Sequence, residues 1–173
     1  MSKPTVELQG DQLHLKDEPA GEDEAFPAFR VVDGALEPVD FDEGPQDRVH
    51  IITTAISVDT PVCATQYKTF DQHAANFEGE DIEVWYVTRD VPFALNRFAE
   101  EHDLDHVQFL SDYNFREFGE ATGLAVEETE LLSRATFVID RDGEVVYREV
   151  LDEIADEPDY DAAVEAAREA AGK

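Results

Sequence analysis

The chain predicts an α/β fold, a three-layer sandwich of thioredoxin type carrying an N-terminal β-hairpin. Three observations point there. Val49-His50-Ile51-Ile52-Thr53-Thr54 is β-branched and almost continuously apolar, as a strand buried on both faces should be. From that run onward, strand-like and helix-like segments alternate, the order expected of helices layered on a mostly parallel sheet. Two late strand candidates are joined by Asp140-Arg141-Asp142-Gly143, a hairpin turn signal, ahead of a last amphipathic helix. That antiparallel pair narrows the class to the thioredoxin type. With 173 residues the chain can build one domain with a real core and is short for two, so residues 1–173 are expected to form a single domain.

The elements follow in order. The first half-dozen residues are expected to fray. Thr5-Val6-Glu7-Leu8 and Leu13-His14-Leu15 flank Gly10-Asp11 and predict the small hairpin. Glu18 to Phe26 is polar with Pro and Gly and reads as loop, and Ala28 to Val32 as a short strand. After the buried run, Tyr67, Phe70, His73, Ala74 and Phe77 recur at helical spacing, with Thr60 as N-cap candidate and Pro61 suited to the first helical position. Ile82 to Thr88 predicts the next strand, Pro92 to His102 a helix, Val107 to Leu110 a strand and Asn114 to Thr122 a short helix. Gly123 to Ser133 is loop, Ala135 to Ile139 and Glu144 to Val150 are the hairpin strands, and Tyr160 to Ala171 is the closing helix.

Charge restricts the partners. There are 42 Asp plus Glu against 13 Lys plus Arg, a formal net charge of −29. The acids run from Glu7 to Glu169 through every segment, interleaved with regularly spaced apolar residues, so they predict an acidic surface over an ordinary core rather than a disordered tail. Self-repulsion on this scale destabilises a compact state in dilute buffer. At about 1 M salt the Debye length falls to roughly 3 Å and removes most of it. A halophilic cytoplasm is therefore the expected setting, with a merely acidic mesophilic protein as the alternative. Nucleic acid and anionic membrane surfaces are not expected as partners, because phosphates call for a basic patch. No apolar run reaches the ~18 residues of a membrane span, and Met1-Ser2-Lys3-Pro4-Thr5 is not followed by a signal-peptide core.

Cys63 is the one cysteine, so no internal disulfide can form. It falls in the first turn of a predicted helix, where free backbone N–H groups and the helix dipole favour a thiolate. A local cation would help any anion on so acidic a protein, and Arg134, at the start of the strand Ala135–Ile139, is the candidate. Helix position alone leaves an inert buried thiol open as the alternative. Other constellations are weaker. His102 and His106 are four apart but lack an evident third ligand, so no metal is expected. Glu127-Glu128-Thr129-Glu130 reads as a solvated loop, and Phe109, Tyr113, Phe115 and Phe118 as core or dimer packing. No glycine-rich phosphate loop exists, so no nucleotide cofactor is expected.

Several segments together resemble the bacterial thiol peroxidases, a peroxiredoxin family. They are Ser57-Val58-Asp59-Thr60-Pro61-Val62-Cys63; Asp90-Val91-Pro92-Phe93-Ala94 with Asn96-Arg97-Phe98; Ser133-Arg134-Ala135-Thr136-Phe137-Val138-Ile139-Asp140; and Asp152-Glu153-Ile154 with Glu157-Pro158-Asp159-Tyr160. The resemblance covers nearly the whole chain. It implies a peroxidatic role for Cys63, an active-site threonine at Thr60 and an active-site arginine at Arg134, with peroxide as substrate and a homodimer near the active-site face. Two positions depart from the family pattern. The proline expected seven residues before the cysteine is Ile56, and the position of the resolving cysteine is Ala99. A Cys63 sulfenic acid would then need an external thiol, either a small molecule or a thioredoxin-like protein. A non-catalytic redox sensor or a thioredoxin-fold binding protein is the alternative. A disulfide oxidoreductase is set aside, because Cys63 is followed by Ala64, Thr65 and Gln66 with no second cysteine.

Overall fold

Strand β5 (Val49–Thr54) is buried at every residue, and the rest of the fold is arranged around it. The computed structural model describes residues 3–172. Around β5 lie β3 (Phe29–Val32), β4 (Pro38–Phe41), β6 (Ile82–Thr88), β7 (Gln108–Ser111), β8 (Ala135–Ile139) and β9 (Val145–Val150), with helices α1 (Pro61–Ala74), α2 (Pro92–Glu101), α3 (Glu117–Thr122) and α4 (Tyr160–Ala171). The seven strands form one sheet in the order β4-β3-β7-β6-β5-β8-β9. β5, β6 and β7 run parallel, and β8 and β9 add antiparallel at one side. At the other side β3 pairs antiparallel with both β7 and β4. This is the expected thioredoxin-like α/β arrangement. β1 (Thr5–Leu8) and β2 (Asp11–His14) form the separate hairpin.

Side chains alternate along the central strands because successive residues face opposite sides of a sheet. Ile51, Val84, Tyr86 and Val138 join Cys63, Tyr67 and Phe70 of α1, Leu95 and Phe98 of α2, and Val164 of α4 in one core. Ile52, Trp85, Val87, Phe137 and Ile139 join Phe118 of α3 with Phe26, Phe41 and Leu132 in the other. The turn before β9 follows its signal. Gly143 has φ +86° and a Cβ there would collide with the Gly44 carbonyl, so the position takes only glycine.

Three expectations are corrected. β4 was not anticipated; Pro38 opens it and only Val39 and Phe41 mark its apolar face, which suits the edge strand it forms. α3 begins at Glu117 instead of Asn114, because Arg116 adopts φ +60° and the Asp112 carboxylate accepts from Phe118 N and Gly119 N, both at 2.9 Å. Thr5 and Val6 do not fray: they lie in β1, and Val6 is buried with Leu15, Val126 and Ile154. Met1 and Ser2, also expected to fray, lie outside the described residues. Among the described residues no helix is long and apolar enough to cross a membrane.

Candidate active site

The site lies where β5 and β6 end and lead into α1 and α2, the crevice outside the carboxyl ends of parallel strands. Thr60 takes the N-cap backbone conformation of α1 (φ −102°, ψ 145°) and Pro61 opens the helix, as the sequence suggests. The Thr60 side chain does not cap it. Its hydroxyl donates backwards to Ser57 O at 3.1 Å, so it leaves the first-turn N–H groups uncapped. The first turn also carries no acid. Both features suit an anion at Cys63, which sits in that turn.

Cys63 is 0% exposed, and Arg134, 1% exposed, lies against it. Each guanidinium nitrogen donates one hydrogen bond. Nη2 donates to Cys63 Sγ at 3.1 Å, Nε to Ile154 O at 2.6 Å, and Nη1 to Gln66 Oε1. Among the described residues no Asp or Glu forms an ion pair with it. A buried guanidinium with no carboxylate is costly unless something else supplies negative charge. The sulfur is the one bonded atom able to become an anion.

Gln66 was not singled out by the sequence reading. It is buried one turn beyond Cys63, and its Nε2 donates to Thr53 Oγ1 at 2.7 Å and Thr54 O at 3.2 Å while its oxygen receives Arg134. A polar residue three positions after Cys63, on the face that must be buried, was the available signal. Thr53 also meets Thr136 Oγ1 at 2.9 Å, linking β5 to β8 beneath the arginine. Ile154 of the C-terminal segment contributes only its carbonyl, a role no side-chain motif reveals.

The two departures have clear settings. Ile56 is half-buried against the cluster of Val6, Leu15, Val126 and Ile154, so side-chain packing against the hairpin holds it. Ala99 lies on α2, partly buried against the same core as Cys63. Close by, Tyr67 and Tyr86 pack ring to ring and are fully buried, and among the described residues neither hydroxyl has a partner in hydrogen-bond geometry. Burial pushes both phenols well above their ordinary value of 10.

The weaker constellations resolve variously. His102 is the C-cap of α2 and packs tilted against Phe98, with ring centroids 4.5 Å apart. Among the described residues no group of three or more His, Cys, Asp or Glu is placed to hold a metal. The Glu127–Glu130 loop is anchored rather than simply solvated: Glu127 meets Lys3, Glu128 meets His14, and Glu130 meets Lys16 and Arg116. Of the aromatic set, Phe118 lies in one core and Phe109 is partly buried against the other. Phe115 is exposed under Arg30, whose guanidinium lies 5.6 Å from the ring centroid.

The redoxin family model matches residues 21–164, a span that contains both Cys63 and Arg134. The chain belongs to the redoxin family. This redoxin is 37% identical over 166 residues to the thiol peroxidase of Halalkalibacterium halodurans, covering 96% of this chain and 98% of that protein. It is 35% identical over 165 residues to the thiol peroxidase of Clostridium acetobutylicum, with 95% and 98% covered. Among solved structures, a peroxiredoxin-like protein from Aquifex aeolicus superposes with TM-score 0.88 at 33% identity, covering 95% of this chain and 96% of that one. These relatives mark the redoxin as a peroxiredoxin-type oxidoreductase of the thiol peroxidase kind.

Proposed function

We propose that the chain reduces hydrogen peroxide and organic hydroperoxides through a Cys63 sulfenic acid that an external thiol resolves. The observation that carries this is the buried Arg134 guanidinium bonded to Cys63 Sγ at 3.1 Å, with no carboxylate partner among the described residues. The Cys63 thiolate attacks one peroxide oxygen. The O–O bond breaks, and the leaving oxygen takes a proton and departs as water or alcohol, leaving Cys63–SOH. Arg134 stabilises the thiolate and the charge moving onto the leaving oxygen. Thr60 holds the peroxide at attack distance. Its own proton is engaged by Ser57 O, so it offers lone pairs to the hydroperoxide O–H. With Ala99 in place of a second cysteine, an external thiol attacks the sulfenic sulfur and releases water. A second thiol then displaces Cys63 thiolate from the mixed disulfide.

The same reading places the protein in a salt-rich cytoplasm as one domain over residues 1–173, working as a homodimer. Leu36, Val91 and Phe93, 44%, 46% and 67% exposed, lie on the β3–β4 turn and at the start of α2 and support pairing on that side. Asn96 Nδ2 donates to Gly34 O at 2.8 Å, which joins the two segments. A second reading, a sensor oxidised once without turnover, is favoured by the complete burial of Cys63, which hinders a protein reductant. Peroxide consumption in molar KCl with excess dithiothreitol, beside Cys63→Ser, separates them. Many turnovers lost in the variant support the peroxidase. One equivalent consumed with Cys63 left as sulfenic acid or mixed disulfide supports the sensor, and no consumption by a folded protein sinks both.

A further inference from the structure

We propose that Asp90 is a positioning residue for the reaction at Cys63, a role that rests on the peroxidase reading. Asp90 occupies the short step between β6 and α2, yet its carboxylate grips the segment ahead of α1. Oδ1 accepts from Ser57 Oγ at 2.7 Å; Oδ2 accepts from Val58 N at 2.9 Å and from Thr88 Oγ1 at 2.9 Å. The Asp90 backbone is itself held. Asp90 N donates to Thr88 Oγ1 at 3.1 Å, and Asp90 O accepts from Ser111 Oγ at 2.5 Å.

The grip is relayed to the reacting region. Ser57 Oγ, while donating to Asp90, accepts from Asp59 N at 3.1 Å. Ser57 O accepts from Thr60 N at 3.3 Å and from Thr60 Oγ1 at 3.1 Å. The direction of the Thr60 hydroxyl is therefore set by Ser57, and the position of Ser57 by Asp90. A second tie joins the same segment to α2, Arg97 Nη2 to Asp59 Oδ1 at 3.3 Å, but both partners are exposed and the pair adds little.

This chain has particular need of such a clamp. Ile56, at the head of the segment, lacks the ring that restricts φ in proline, and its packing fixes a side chain rather than the backbone that follows. Hydrogen bonds to Val58 N and Ser57 Oγ supply that backbone restraint from outside the segment. A displacement of about 1 Å at a positioning group costs on the order of 100-fold in rate.

The test compares full-length wild type with Asp90→Ala, Asp90→Asn and Ser57→Ala in molar KCl. It reads kcat/KM for hydrogen peroxide with excess dithiothreitol, the rate of Cys63 alkylation by iodoacetamide, and the melting temperature. Asp90→Ala is expected to lower kcat/KM by about 10- to 100-fold, while alkylation, which does not use Thr60, is unchanged or faster. Asp90→Asn keeps an oxygen for Val58 N and an amide for Ser57 Oγ, and recovers most of the loss. Ser57→Ala breaks the same relay at its other end, and it carries the test with Asp90→Asn if Asp90→Ala fails to fold. The proposal is overturned if folded variants keep kcat/KM within about twofold of wild type, if peroxide and alkylation rates fall together, or if Asp90→Asn is as impaired as Asp90→Ala. A wild type without turnover sinks the peroxidase reading and this role with it; a wild type that turns over beside an unimpaired Asp90→Ala sinks this role alone.

Discussion

Arg134 Nη2 donates to Cys63 Sγ at 3.1 Å across 71 residues of chain, and both side chains are buried. The contact joins the first turn of α1 to the start of β8. It makes the reactivity of the sulfur and the stability of the fold depend on one another.

Replacing either partner is expected to show this. Arg134→Gln should slow Cys63 oxidation by peroxide about 100- to 1000-fold, the range for loss of a preorganised donor to developing negative charge. Cys63→Ser leaves the guanidinium buried with a neutral partner and is expected to cost about 3 kcal/mol. Denaturant titration in molar KCl measures it, and a midpoint equal to that of wild type would mean that the pair holds no ionic interaction.

Tyr67→Phe and Tyr86→Phe should be neutral or stabilising by up to about 1 kcal/mol. Each removes a buried hydroxyl that has no hydrogen-bond partner among the described residues, and such a group costs free energy in the folded state only. Both phenols are neutral at any working pH, because burial raises them well above 10. A clear drop in melting temperature for either variant would reveal a partner, such as a bound water, that the hydroxyl needs.

Stability is expected to fall as pH drops from about 6.5. His50 is buried against Phe41 and Trp85, and burial holds its imidazole below the ordinary 6.5, with Glu83 opposing at 3.8 Å. Below 6.5 the unfolded chain binds a proton that the folded chain refuses, so acidification favours unfolding until the folded-state value is passed. Asp112 acts in the opposite sense, because burial raises its carboxyl and the folded state takes up that proton first. His50→Phe should flatten the His50 part of the slope; thermal melts of both proteins between pH 5 and pH 8 are the measurement.

The melting temperature should rise steeply from dilute buffer to molar KCl. The net charge of −29 is spread along the whole chain, and screening relieves its self-repulsion. A melting temperature indifferent to salt would remove the ground for a halophilic setting.

Much of this was legible in the residues. β6, β8 and α4 lie where the pattern places them, because each is bounded by local signals and has one clear period. Cys63 could be named as a candidate because a helix start after a buried strand is written locally; the active-site roles of Thr60 and Arg134 came from the resemblance to the thiol peroxidases. β4 and the start of α3 were not legible. A four-residue edge strand opened by proline carries almost no pattern, and the start of α3 is set by Asp112, which lies outside the helix.

By itself the sequence determined the alternation of strands and helices, the placement of one thiol in a helix's first turn, the acidic surface, and the absence of any second sulfur to close a disulfide. Only the tertiary structure decided what surrounds that thiol: Gln66 and the Ile154 carbonyl holding Arg134, and Asp90 reaching back to Ser57 and Val58. The reason is physical. Periodicity and capping follow from interactions between residues close in the chain. A buried charge is satisfied by whatever donors and acceptors the folded backbone brings near it, from residues tens of positions away, and local pattern carries no record of that meeting.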